Sequence, residues 1–88
     1  ATAIENITNA KAGVAYCIEI GEDDTKHRLT IAKNGKFANI TAAWTPSQAG
    51  DYIMVILGKD ENFRELERRV GGKRTINKAV QPNVPGGR

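Results

Sequence analysis

The sequence is poor in the side chains that build chemical centres. Its one cysteine, Cys17, excludes an internal disulfide and any cysteine-based zinc site. His27 is the only histidine, so neither a histidine metal cluster nor a Ser-His-Asp or Cys-His triad has the parts it needs. No Walker-type phosphate loop and no G-x-G-x-x-G occurs; Gly71-Gly72-Lys73-Arg74 has Gly and Lys but lacks the strand–loop–helix frame. The longest apolar run, Tyr52 to Leu57, is far too short to span a bilayer. No charged-then-apolar leader opens the chain, as expected where a signal peptide is missing or already removed. At 88 residues there is no room for a two-domain enzyme, a full dinucleotide-binding fold or a barrel enzyme.

What is present fits one small globular domain. Hydrophobic residues make up 40% and charged ones 26%, with nine Gly and three Pro, a balance that disordered chains lack. A single β-rich domain over residues 1–80 is expected. Residues 81–88, with two Pro and two Gly, form a flexible tail or linker.

Charge is unevenly spread. Residues 1–63 hold six Lys/Arg against eight Asp/Glu, a net of −2. Residues 64–88 hold seven (Arg64, Arg68, Arg69, Lys73, Arg74, Lys78 and Arg88) against Glu65 and Glu67, a net of +5. Such asymmetry points to an anionic partner, nucleic acid or an acidic surface, or else to a solvated basic face that keeps the domain soluble. Single-strand binders interleave aromatics with their cations, and here the only aromatic beside this segment is Phe63, at its start.

Along the chain, Ala1 to Asn9 reads as a short first strand. Val14, Tyr16, Ile18 and Ile20 alternate with Ala15, Cys17 and Glu19, the pattern of a half-buried strand. Cys17 is then a small core hydrophobe or lies on the opposite face. Residues 21–26 form an acidic loop, and His27 is an exposed strand-entry residue. Asn34-Gly35 between β-prone runs 28–32 and 37–44 predicts a hairpin closed by a type I′ turn. Residues 45–51 read as a turn, and 52–57, apolar on both faces, as a central strand. Asp60 as N-cap, Phe63, Leu66 and Val70 at i, i+3 and i+7, and Gly71 as stop predict a short helix over 60–70. A loop and final strand is the competing reading of that stretch. Lys73–Val80 reads as a last strand. The expected core is Val14, Tyr16, Ile18, Leu29, Ile31, Ile40, Trp44, Tyr52, Met54, Ile56, Phe63, Leu66 and Val70.

Acidic clusters Glu22-Asp23-Asp24 and Asp60-Glu61 lack the spacing of a calcium loop and read as solvated turns. Asn6-Ile7-Thr8 and Asn39-Ile40-Thr41 are glycan acceptors only in a secretory compartment, and the sequence leaves location open. No cofactor, metal site or enzymatic activity is expected.

Residues 34–57 resemble part of a filamin-type immunoglobulin-like repeat. Asn34-Gly35 leads to Ile40–Trp44, then Thr45-Pro46, then Gly50-Asp51-Tyr52 opening Ile53–Leu57. The resemblance implies a β-sandwich in which the Tyr52 hydroxyl ties the corner to upstream backbone. It also implies a non-enzymatic spacer or docking module that takes a partner strand on a sheet edge. It departs after Ile20, where a further strand has no room, and after Leu57, where helix is predicted.

The expected fold is therefore mainly β, a small antiparallel immunoglobulin-like sandwich with one short helix near 60–70. The expected function is a structural or protein-binding module acting through sheet-edge pairing and apolar contacts, self-association included. The alternative is an anionic partner bound by Arg64, Arg68, Arg69, Lys73, Arg74 and Lys78.

Overall fold

A computed structural model describes residues 2–22 and 29–78. His27, the acidic loop beyond Glu22, Val80 and the 81–88 tail lie outside the described residues. The chain is mainly β, with almost no helix. Its strands are β1 (Thr2–Ala3), β2 (Ala15–Glu19), β3 (Leu29–Thr30), β4 (Tyr52–Leu57), β5 (Phe63–Val70) and β6 (Lys73–Ile76). β1 and β3 pair in parallel as a small two-stranded sheet; the main sheet is antiparallel in the order β2-β4-β5-β6.

One face of the main sheet carries the core. Ile20, Ile53, Val55, Leu57 and Phe63 pack there against Ile31, Phe37, Ile40 and Trp44 from the irregular segment 31–51. That segment is closed at its base by an antiparallel bridge in which Ile31 and Trp44 exchange hydrogen bonds of 3.0 and 2.8 Å.

The helix expected over 60–70 is not formed; these residues are a turn followed by strand β5. The residues that resembled helix signals serve the hairpin. Asp60 Oδ1 accepts from the Asn62 backbone N–H at 3.1 Å, closing a turn with Glu61 at φ 67°. The three-residue spacing arises from a β-bulge: Met54 faces Glu67 while Val55 faces Glu65, so Leu66 is the extra residue. Strand pairing with the apolar β4 outweighs the modest helix preference of Arg, Glu and Leu.

The two tight turns were exchanged. At Asn34-Gly35 no type I′ turn forms, because Asn34 is extended (φ −159°) and opens a 3-10 turn, Gly35–Phe37. That turn buries Phe37, whose ring stacks on Phe63 with centroids 5.0 Å apart, and burial of the ring overrides the local turn preference. The two-residue hairpin with positive φ at both positions is Gly71-Gly72 (61° and 80°), joining β5 to β6 where Val70 pairs with Lys73.

β4 is inserted in the opposite phase to that expected. Ile53, Val55 and Leu57 face the core, while Tyr52, Met54 and Ile56 are half-buried on the outer face. An all-apolar strand has no alternation of its own to set its phase. In β2 the expected phase holds for Tyr16 and Ile18, but Val14 is 43% exposed and outside the core. β6 ends at Ile76, short of the expected span to Val80.

Candidate functional site

Two buried carboxylates hold the covering segment on the sheet. Asp51, fully buried, accepts from the backbone N–H groups of Ser47 (2.9 Å), Gln48 (3.2 Å), Gly71 (2.8 Å) and Gly72 (3.2 Å), so it joins the 47–51 turn to the β5–β6 hairpin. Burial alone would raise its pKa, but these hydrogen bonds together hold the carboxyl below its ordinary value. Glu65, also buried, accepts from Thr41 N–H and from Arg68. Arg68 in turn donates to the carbonyls of Ala42 and Ala43 at 2.6 and 3.1 Å. The bulge makes this possible, since it turns Glu65 and Arg68 to the same face.

The basic residues therefore do not act as one patch. Arg68 is turned inward and engaged with Glu65, which removes it from partner contact. Arg64 and Arg69 are exposed on the outer face. Arg74 sits directly opposite Arg69 and bonds Glu67 at 3.1 Å. Lys73 and Lys78 are exposed at the ends of the last segment. Tyr52 does not tie its hydroxyl to upstream backbone; it donates across the strands to the Glu67 carboxylate. That bond, with burial and the Glu67 charge, raises the phenol pKa.

The opposite edge of the sheet differs in kind. Ile20 N–H bonds Asp51 O at 2.8 Å, and Leu57 N–H bonds Val14 O at 3.3 Å. Antiparallel alternation then directs the backbone groups of Ala15, Cys17 and Glu19 away from β4, toward the open side. Among the described strands, β4 alone lies beside β2. Glu19 is the only charge on β2, whereas the β6 edge carries Lys73 and Arg74, cations of the kind that discourage strand addition. Cys17 is exposed on the outer face, and partial burial with Glu19 and Glu67 nearby pushes its thiol above the ordinary value. Of the two placements the sequence allowed for Cys17, the structure shows the face opposite the core. Nothing in the sequence marked β2 as an edge, because strand order depends on distant pairing.

A groove of about 330 Å³ lies between residues 6–12 and the β4–β5 turn, lined by Asn6, Asn9, Lys36, Lys59, Glu61 and Phe63 among others. This is near the lower limit for a small-molecule site. Asn9 and Glu61 take positive φ there, and Lys36 is bonded to the Glu61 carbonyl at 3.1 Å. Among the described residues, no group of three or more His, Cys, Asp or Glu converges as a metal site would require. Both glycan-acceptor asparagines are exposed; Asn39 donates to Asp60 at 3.4 Å. No helix among the described residues is long and apolar enough to cross a membrane.

Compared with protein-family models, curated proteins and solved structures, the chain matches none.

Proposed function

We propose that this domain is a non-enzymatic structural or protein-binding module that takes up a partner's strand along β2, with apolar contacts on the adjoining faces. The observation that carries this is the backbone ladder of Ala15, Cys17 and Glu19 directed away from β4, on a strand with no Lys or Arg of its own and with half-buried Tyr16 and Ile18. Self-association is one form of the same activity. The filamin-type, immunoglobulin-like reading of residues 34–57 belongs with this proposal. It draws support from the β-rich fold alone, since the Tyr52 hydroxyl goes to Glu67 instead of upstream backbone.

The test is a comparison of wild type with Cys17→Pro. Cys17 N–H points to the open side, so the substitution removes a donor that the fold itself does not use. Partner capture by wild type and its loss in the folded variant supports the proposal. Equal capture by both contradicts it.

The second reading, an anionic partner such as nucleic acid or an acidic surface, is favoured by one observation. Arg64 and Arg69 are both exposed on the outer face of β5. Arg64, Arg69, Lys73 and Lys78 are the residues left to serve it. Affinity falling steeply with salt, and lost on charge reversal at Arg64 and Arg69, would favour this reading over the first.

A further inference from the structure

We infer that the strand taken up by β2 is β2 of a second copy, paired antiparallel about a two-fold axis at Cys17. This deepens the proposed function and rests on it.

The register follows from the strand itself. Only an antiparallel alignment centred on Cys17 gives all five residues of β2 a partner: Cys17 faces Cys17, Ala15 faces Glu19, and Tyr16 faces Ile18. The outward backbone groups of Ala15, Cys17 and Glu19 then exchange about six hydrogen bonds with their counterparts. On the core face, Tyr16 and Ile18 are half-buried, and among the described strands only β4 adjoins β2; in the pair each covers the other. Val14, 43% exposed, comes opposite Ile20 of the second copy.

Charge agrees with this arrangement. The one charged side chain of the strand, Glu19, meets Ala15 rather than a second carboxylate. The β6 edge carries two cations, Lys73 and Arg74, within four residues, so a pair of β6 strands would gather four positive charges. An isologous contact of this kind closes at two copies and joins the two main sheets into one.

The experiment is sedimentation velocity of the full chain from micromolar to millimolar concentration, for wild type, Cys17→Lys and Ala15→Glu. Circular dichroism checks that each variant is folded. Cys17→Lys sets two cations on the axis, and Ala15→Glu sets two carboxylates against Glu19, so both should abolish a dimer that wild type forms. Copper(II)–phenanthroline, two equivalents of which each accept one electron while the paired thiols release two protons, should join the wild-type dimer covalently through Cys17. Facing residues at a hydrogen-bonded position have a Cα separation of about 5.5 Å, within disulfide range.

A dimer that persists in both folded variants overturns the inference and leaves self-association standing. Growth beyond two copies that is lost on Arg74→Glu overturns it in favour of β2 pairing with β6. A strict monomer also overturns it; the module reading fails with it only if capture of another protein sensitive to Cys17→Pro is missing too.

Discussion

Removing the Asp51 carboxylate should loosen both the 47–51 turn and the β5–β6 hairpin, although neither belongs to the apolar core. In Asp51→Ala the backbone N–H groups of Ser47, Gln48, Gly71 and Gly72 lose their acceptor together. A hydrogen bond to a charged group contributes about 1.5–3 kcal/mol. These bonds share one carboxylate, and exposed Gly71 and Gly72 can turn to water, so the expected loss is about 3 kcal/mol rather than the full sum. For a domain of this size that lowers Tm by on the order of 15 °C. Asp51→Asn keeps one acceptor oxygen but sets an NH2 against a backbone donor, and should cost about 2 kcal/mol. The pH dependence supplies a second readout. A carboxyl held below its ordinary value of 3.8 binds fewer protons folded than unfolded. Its stabilisation is present above the unfolded pKa and is lost as pH falls through the lower, folded one. Urea melts should therefore show wild type losing stability on acidification below about pH 4, with a smaller slope in Asp51→Asn. An Asp51→Ala variant within about 0.5 kcal/mol of wild type, or an unchanged acid slope in Asp51→Asn, would refute the reasoning.

Other substitutions probe other links. Arg68→Ala leaves the buried Glu65 carboxylate without its cation and should destabilise by about 3–5 kcal/mol in chemical denaturation. Replacing Glu65 and Arg68 together by apolar residues should cost less than Arg68→Ala alone. Gly72→Val sets a β-branched side chain at φ 80° and should destabilise the β5–β6 hairpin by more than 1 kcal/mol, whereas Gly71→Asn at φ 61° should be milder. Phe37→Ala removes the ring stacked on Phe63 and should cost about 3–5 kcal/mol, which calorimetry will show as a large fall in Tm.

How much of this was legible in the sequence depended on whether a residue's role is set by its neighbours or by distant chain. Alternation placed β2 but left Cys17 open between core and opposite face, and the buried Trp44 and Ile40 were expected in the core. Local rules misplaced two turns: Asn34-Gly35 gave way to burial of Phe37, and Gly71-Gly72 proved to be the two-residue hairpin. The helix expected at 60–70 came from the spacing of Phe63, Leu66 and Val70, a stretch that the structure builds as a strand with a β-bulge at Leu66. The phase of β4 was illegible because every residue in it is apolar. The basic residues were legible as a composition but not as a surface, because Arg68 is drawn inward by a carboxylate that no spacing rule marks.

Residue-resolved amide exchange along β2 tests the central claim most directly. In dilute protein, Tyr16 and Ile18, bonded to β4, should be protected, while Ala15, Cys17 and Glu19 exchange freely. On assembly or partner binding, those three amides should become protected together. Protection of all five in dilute protein, or no gain at Ala15, Cys17 and Glu19 once a complex has formed, would contradict the account.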